Sequence, residues 1–114
     1  MNAVEIFRTP AGREVRTVLR DGDPWFVAGD VCSILGFRMA SDALRWLDDE
    51  EKGYANVRTP GGDQQMLVVN ESGVYALVFR SKQPHAKAFR KWVTNDVLPA
   101  NDPARNPDAE VLDA

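Results

Sequence analysis

The side chains best suited to chemistry in this sequence are its cations, and they cluster. Between residues 80 and 92 lie Arg80, Lys82, Lys87, Arg90 and Lys91, with no acidic residue among them. Local fixed positive charge suits a polyanion, because each phosphate neutralised releases condensed counterions. An arginine can also address guanine bidentately in the major groove. Lys87, Arg90, Lys91 and Thr94 follow i, i+3, i+4, i+7 spacing, which on a helix is one face. Ala86, Phe89, Val93 and Val97 fall on the other side. An ordinary solvated amphipathic helix has the same pattern, so spacing alone leaves both readings open.

Arg38, Arg45 and Arg58 form a second candidate set. Residues 30–47 read as two short helices joined around Gly36, which could mimic a helix-turn-helix with Ser41, Asp42 and Arg45 on its recognition element. The plainer alternative is a pair of short helices closing a sheet. The turn at 59–64 could enter a groove or be a simple surface turn.

Other chemistry finds little to build on. The run Asp48-Asp49-Glu50-Glu51 lacks calcium-loop spacing and reads as an acidic loop, able to repel DNA and orient docking. His85 is the sole histidine and Cys32 the sole cysteine. One of each cannot form a structural zinc site or an intramolecular disulfide. No nucleophile-elbow or phosphate-loop pattern is present. His85 reads as an exposed helix-start residue, Cys32 as a small core residue, and Trp25, Trp46 and Trp92 as core. No enzyme activity, cofactor or metal is expected.

The elements that must position these residues follow from periodicity. Residues 3–8, 14–20 and 25–27 read as strands of an antiparallel meander, separated by Thr9-Pro10-Ala11-Gly12 and Asp21-Gly22-Asp23-Pro24. A helix capped by Gly29 or Asp30 carries Val31, Ile34 and Leu35 and ends at Gly36. Ser41 would cap a second helix through Leu47. Residues 54–58 and 65–69 read as a hairpin around Thr59–Asp63. Asn70 would cap a third helix over 71–80, in which Gly73 permits close packing. A fourth helix is expected over 84–97, with Pro84 in its first turn and Pro99 as its stop. The class is α+β: one small domain over residues 1–100, with a meander and a hairpin packed by about four short helices. Residues 101–114 read as a disordered acidic tail or linker.

The chain has 114 residues and a formal net charge of −3, which suits one domain with one core. Lys and Arg balance Asp and Glu over residues 1–100, so the excess comes from Asp102, Asp108, Glu110 and Asp113 against Arg105. A neutral body does not advertise nucleic-acid binding globally, so any DNA affinity must be local. No apolar run approaches the ~20 residues that span a bilayer. The N-terminus lacks signal-peptide features. A cytoplasmic, membrane-free location is expected.

Four stretches, in order, resemble the Bro-N family, the N-terminal domain of phage and prophage antirepressors and of baculovirus BRO proteins. They are Trp25–Phe37, Asp48–Gly53, Asn70–Lys82 and Ala86–Pro99. The last two in tandem are the most specific. The resemblance implies a DNA-binding, transcription-regulating module whose partner is double-stranded DNA and which could act as a homodimer. The cation clustering, not the resemblance, places the expected contacts on Arg80, Lys82, Lys87, Arg90 and Lys91, with Arg38, Arg45 and Arg58 as the second candidate set. Antirepressors of this type commonly carry a further C-terminal domain. Nothing after Pro99 has the makings of one, so a stand-alone protein or an excised domain is expected. The competing reading is an interaction module that binds a phage repressor protein and never touches DNA.

Overall fold

The computed structural model describes residues 4–98. The proposed tail, 101–114, lies outside the described residues. Five strands, β1 (Val4–Arg8), β2 (Glu14–Arg20), β3 (Asp23–Val27), β4 (Lys52–Thr59) and β5 (Gly62–Val69), form one antiparallel sheet in the order β1-β2-β3-β5-β4. Four helices, α1 (Ala28–Leu35), α2 (Ala40–Ala43), α3 (Glu71–Arg80) and α4 (Ala86–Trp92), complete the expected α+β domain.

The turns are tighter than their composition suggests. Asp21 and Gly22 both have positive φ, at 54° and 85°, and alone join the Arg20↔Asp23 pair. Two left-handed residues match the right-handed twist of the flanking strands. Asp23 and Pro24 therefore belong to β3, where Pro24 is tolerated because β5 pairs β3 only at Phe26 and Val27. Thr59 pairs with Gly62, so only Pro60 and Gly61 are left to turn the second hairpin.

That two-residue seam between β3 and β5 divides the sheet into a meander and a hairpin, which enclose a cluster of Val18, Val27, Ala55, Val57 and Val68. The main core lies on the opposite face. There Val15, Phe26 and Val69 meet Val31 and Leu35 of α1, Val74 and Leu77 of α3, and Phe89, Trp92, Val93 and Val97. Strand alternation accounts for the division, since neighbouring residues of β3 and of β5 face opposite clusters.

Several helix boundaries differ from expectation. Neither Gly29 nor Asp30 caps α1: β3 runs straight into the helix through Val27, with no side-chain cap. Asp30 instead sits in the first turn, where the helix dipole favours an anion. It accepts the Arg16 backbone N–H at 3.0 Å and two guanidinium bonds at 2.9 Å. Ser41 is not a cap either: α2 begins after Met39, lasts four residues and gives way to a 3-10 segment, Leu44–Trp46. The acidic run is an ordered 3-10 turn, Asp49–Glu51, with a reciprocal capping box between Asp48 and Glu51. Asn70 does cap α3, accepting the Gly73 N–H at 2.9 Å. A Cβ on Gly73 would lie 2.9 Å from the Glu51 carbonyl, which explains glycine inside that helix. The fourth helix starts at Ala86, later than expected, because Pro84 and His85 form a turn before it. Its end is a π-turn, Val93–Val97.

Candidate nucleic-acid interface

The placement of α4 depends on how α1 ends. A helix leaves its last four carbonyls without intrahelical partners. Gly36, at φ 84°, reverses the chain so that Phe37 N–H reaches the Cys32 carbonyl at 2.9 Å and Gly36 N–H the Ser33 carbonyl at 3.4 Å. The remaining two are satisfied from the α3–α4 connector. Ser81 Oγ donates to the Leu35 carbonyl at 2.7 Å, and His85 Nε2 to the Ile34 carbonyl at 2.6 Å. The connector packs so closely that a Cβ on Gly36 would come within 2.3 Å of the Gln83 side chain. His85 is thus an exposed helix-start residue, as its position suggests, but its ring pins α4 to α1.

From this anchor α4 lays Ala86, Phe89 and Trp92 into the core, with Phe89 and Trp92 ring centroids 5.8 Å apart. Lys87, Arg90 and Lys91 are all exposed on the other face. None of the three forms an ion pair with another described residue. Thr94 is exposed beside them, its hydroxyl 2.7 Å from that of Tyr75, which joins this face to α3.

The other expected site residues divide by their surroundings. Arg38 and Lys82 are exposed without an ion pair among the described residues. Arg80 stacks its guanidinium 4.7 Å over the Trp46 ring, a cation–π contact that orients the side chain without neutralising it. Arg45 lies 3.7 Å from the Asp42 carboxylate and Arg58 3.5 Å from that of Asp63. The sequence therefore groups eight cations that the structure sorts into three kinds: open, ring-stacked and carboxylate-paired. The helix-turn-helix option fails geometrically, since α2 is a single turn.

Trp46 corrects another expectation. It is 64% exposed, whereas Leu44 and Leu47 of the same segment are buried, because the 3-10 segment turns the indole outward to meet Arg80. Trp92 is core, and Trp25 is half-buried beneath Arg20. Phe79, at 89% exposed, is a large apolar side chain without cover.

Charge is polarised along α3. Asp48, Asp49, Glu50 and Glu51 surround its N-terminus, and Arg80 and Lys82 follow its C-terminus. This matches the helix dipole and places the two signs ~15 Å apart. Glu51 accepts from Ser72 Oγ and from the Asp48 N–H, which hold its carboxyl below the ordinary range. Burial pushes the Cys32 thiol up to about 11, away from nucleophilic chemistry. Among the described residues no group of three or more His, Cys, Asp or Glu could hold a metal ion, and no helix is long and apolar enough to cross a membrane.

Ser81 and His85 are the contributors that sequence reasoning misses. The available signal is the unsatisfied carbonyls left by a glycine-terminated helix, but their donors lie 46 and 51 positions away.

Comparison with known proteins agrees with the motifs. Residues 14–99 match the model of the BRO family N-terminal domain, Bro-N. An uncharacterized protein of Haemophilus influenzae is 38% identical over 89 residues, covering 75% of this chain and 43% of that one. Bro-N domain-containing protein 289L of Invertebrate iridescent virus 6 is 31% identical over 96 residues, covering 68% of this chain and 23% of its own length. Bro-N domain-containing protein 019R of Invertebrate iridescent virus 3 is 27% identical, covering 88% and 33%. This chain thus spans less than half the length of these relatives. No solved structure matches it. The match over most of the described fold makes this chain a member of the Bro-N family.

Proposed function

We propose that the chain is a DNA-binding regulatory module that engages the duplex backbone through the exposed face of α4. The observation that carries this reading is the open cation triad Lys87, Arg90 and Lys91, displayed on a helix whose other face is locked into the core. Lys82 and Arg80 extend the positive surface toward α3. The carboxylates at the far end of α3 disfavour the opposite orientation, because like charges repel the phosphates there. The module acts by binding and not by catalysis.

The test is titration of random-sequence duplex at two salt concentrations, with Arg90→Ala/Lys91→Ala alongside. Each phosphate contact contributes ~0.9 to the slope of log affinity against log salt, so the double variant should flatten that slope by ~1.8. An unchanged slope with a folded variant would reject α4 as the contact surface.

A second reading has its own support. Phe79 and Trp46 are exposed aromatics of the type that anchors protein interfaces. If the partner is a phage repressor protein, a saturable and salt-insensitive complex should form, and Phe79→Ser should weaken it.

A further inference from the structure

The cation stripe of α4 borders an aromatic stripe on α3. Thr94 shares the stripe of Lys87, Arg90 and Lys91, and its hydroxyl lies 2.7 Å from that of Tyr75. That contact puts the cations on the flank of α4 that looks toward α3. The opposite flank differs in character: Ala88, Phe89 and Trp92 line an apolar cleft of about 350 Å³ against Pro10 and Ala11 of the β1–β2 turn. Residues 81–85 join the two helices at one end and the Tyr75–Thr94 contact holds them at the other, so they lie side by side. Phe79 follows Tyr75 by one turn and falls on the same stripe, toward the connector. Gly73, Val74 and Leu77 are the buried residues of α3, and at 3.6 residues per turn Phe79 falls on the side away from them. Its ring is 89% exposed.

The other side of Phe79 is cationic as well. Arg80 follows it and is oriented by the Trp46 ring, and Lys82 lies in the connector. Neither has an ion pair with another described residue. A protein-binding patch has a contiguous apolar centre depleted of charge. An apolar side chain rimmed by open cations suits a duplex instead, where the ring enters between bases and the cations hold phosphates on either side. We propose that Phe79 is a wedge that inserts into a pyrimidine–purine step, the kind most easily unstacked, and kinks the DNA held by α4. The wedge rests on the DNA-binding reading and adds to it a deformation and a preference for deformable steps.

The test titrates the full chain into a short duplex of alternating thymine and adenine, in which every second step is TA. The duplex carries a dye at each end and 2-aminopurine in place of some adenines. Insertion predicts increased energy transfer between the ends and brighter 2-aminopurine, because unstacking relieves its quenching. Phe79→Ala should abolish both signals and weaken binding roughly five- to a hundredfold, without flattening the salt slope, because it keeps every cation. Phe79→Leu retains an apolar wedge and should restore part of the bend. A stiff A-tract duplex should bind more weakly and stay straight. Both variants should melt with the unaltered chain; a lowered melting temperature for Phe79→Ala would make the ring a packing residue and overturn the wedge. Binding without bending or brightening, or bending that survives Phe79→Ala, also overturns it and leaves the DNA-binding reading standing. Unchanged DNA behaviour with loss of a repressor complex would make Phe79 a protein anchor instead. Binding to neither duplex, even at low salt, rejects the wedge and the DNA-binding reading together.

Discussion

The cations of α4 and those of the α2–β4 side are alike in type and exposure but differ in company. Lys87, Arg90 and Lys91 stand on a helix with no acidic residue in it. Arg45 and Arg58 each face a carboxylate, three residues away on a helical turn and directly across a hairpin respectively. Surface pairs of that kind contribute little stability. Their larger consequence is that part of the cationic field is cancelled before any polyanion arrives. The difference teaches that exposed basic residues should be ranked as interface candidates by their nearest carboxylate, not by count.

The comparison breaks most severely if the scaffold under α4 is removed. Phe89→Ala should destabilise the domain by ~3–5 kcal/mol, read as a lowered denaturation midpoint; a midpoint like that of the unaltered chain would show the cation face to be wrongly registered. Gly36→Ala should destabilise by ~1–3 kcal/mol, because it strains a left-handed residue and pushes Gln83 off the connector that anchors α4. Thermal unfolding reads this directly. A neutral result would mean that the connector yields at no cost.

Charge variants sharpen the comparison with smaller effects. Lys87→Ala/Arg90→Ala/Lys91→Ala should leave stability nearly unchanged while lowering the salt slope of DNA binding by ~2.7. Arg45→Ala/Arg58→Ala should lower it by less than ~1, because those cations remain carboxylate-paired. Equal losses would erase the distinction between the two sets. The smallest effect belongs to Asp63→Asn. Removing the carboxylate charge 3.5 Å from Arg58 should add at most ~0.9 to the slope if that side lies near the backbone, and nothing if it faces away.

Acid should act at the other end of α3. Ser72 and the Asp48 N–H lower the Glu51 carboxyl in the folded state, so its contribution is present above the ordinary carboxylate range and fades as pH falls through the depressed value. Amide protection at residues 49–51, measured against the intrinsic exchange rate at each pH, should therefore fall in acid before that of the core does; uniform protection down to global unfolding would contradict this.

Much of the architecture was legible in advance. The meander, the hairpin, α3 with its Asn70 cap and the buried face of α4 all follow from local periodicity and turn chemistry, which act over a few residues. Boundaries were less legible where tertiary contacts intervened. Asp30 looked like a cap because its type suits one, yet Arg16 claims its carboxylate from a neighbouring strand. Trp46 looked like core because tryptophan usually is, yet a 3-10 turn and Arg80 hold it at the surface.

By itself, the sequence determined the class of fold, the family and the location of a cation-rich, acid-free helix, because each is encoded in the order and spacing of nearby residues. The tertiary structure decided which cations stay open, how the α1 carbonyls hold α4 in place, and that a cleft remains beside it. Those features depend on residues tens of positions apart meeting in space, and side-chain type alone carries no record of who the neighbour is.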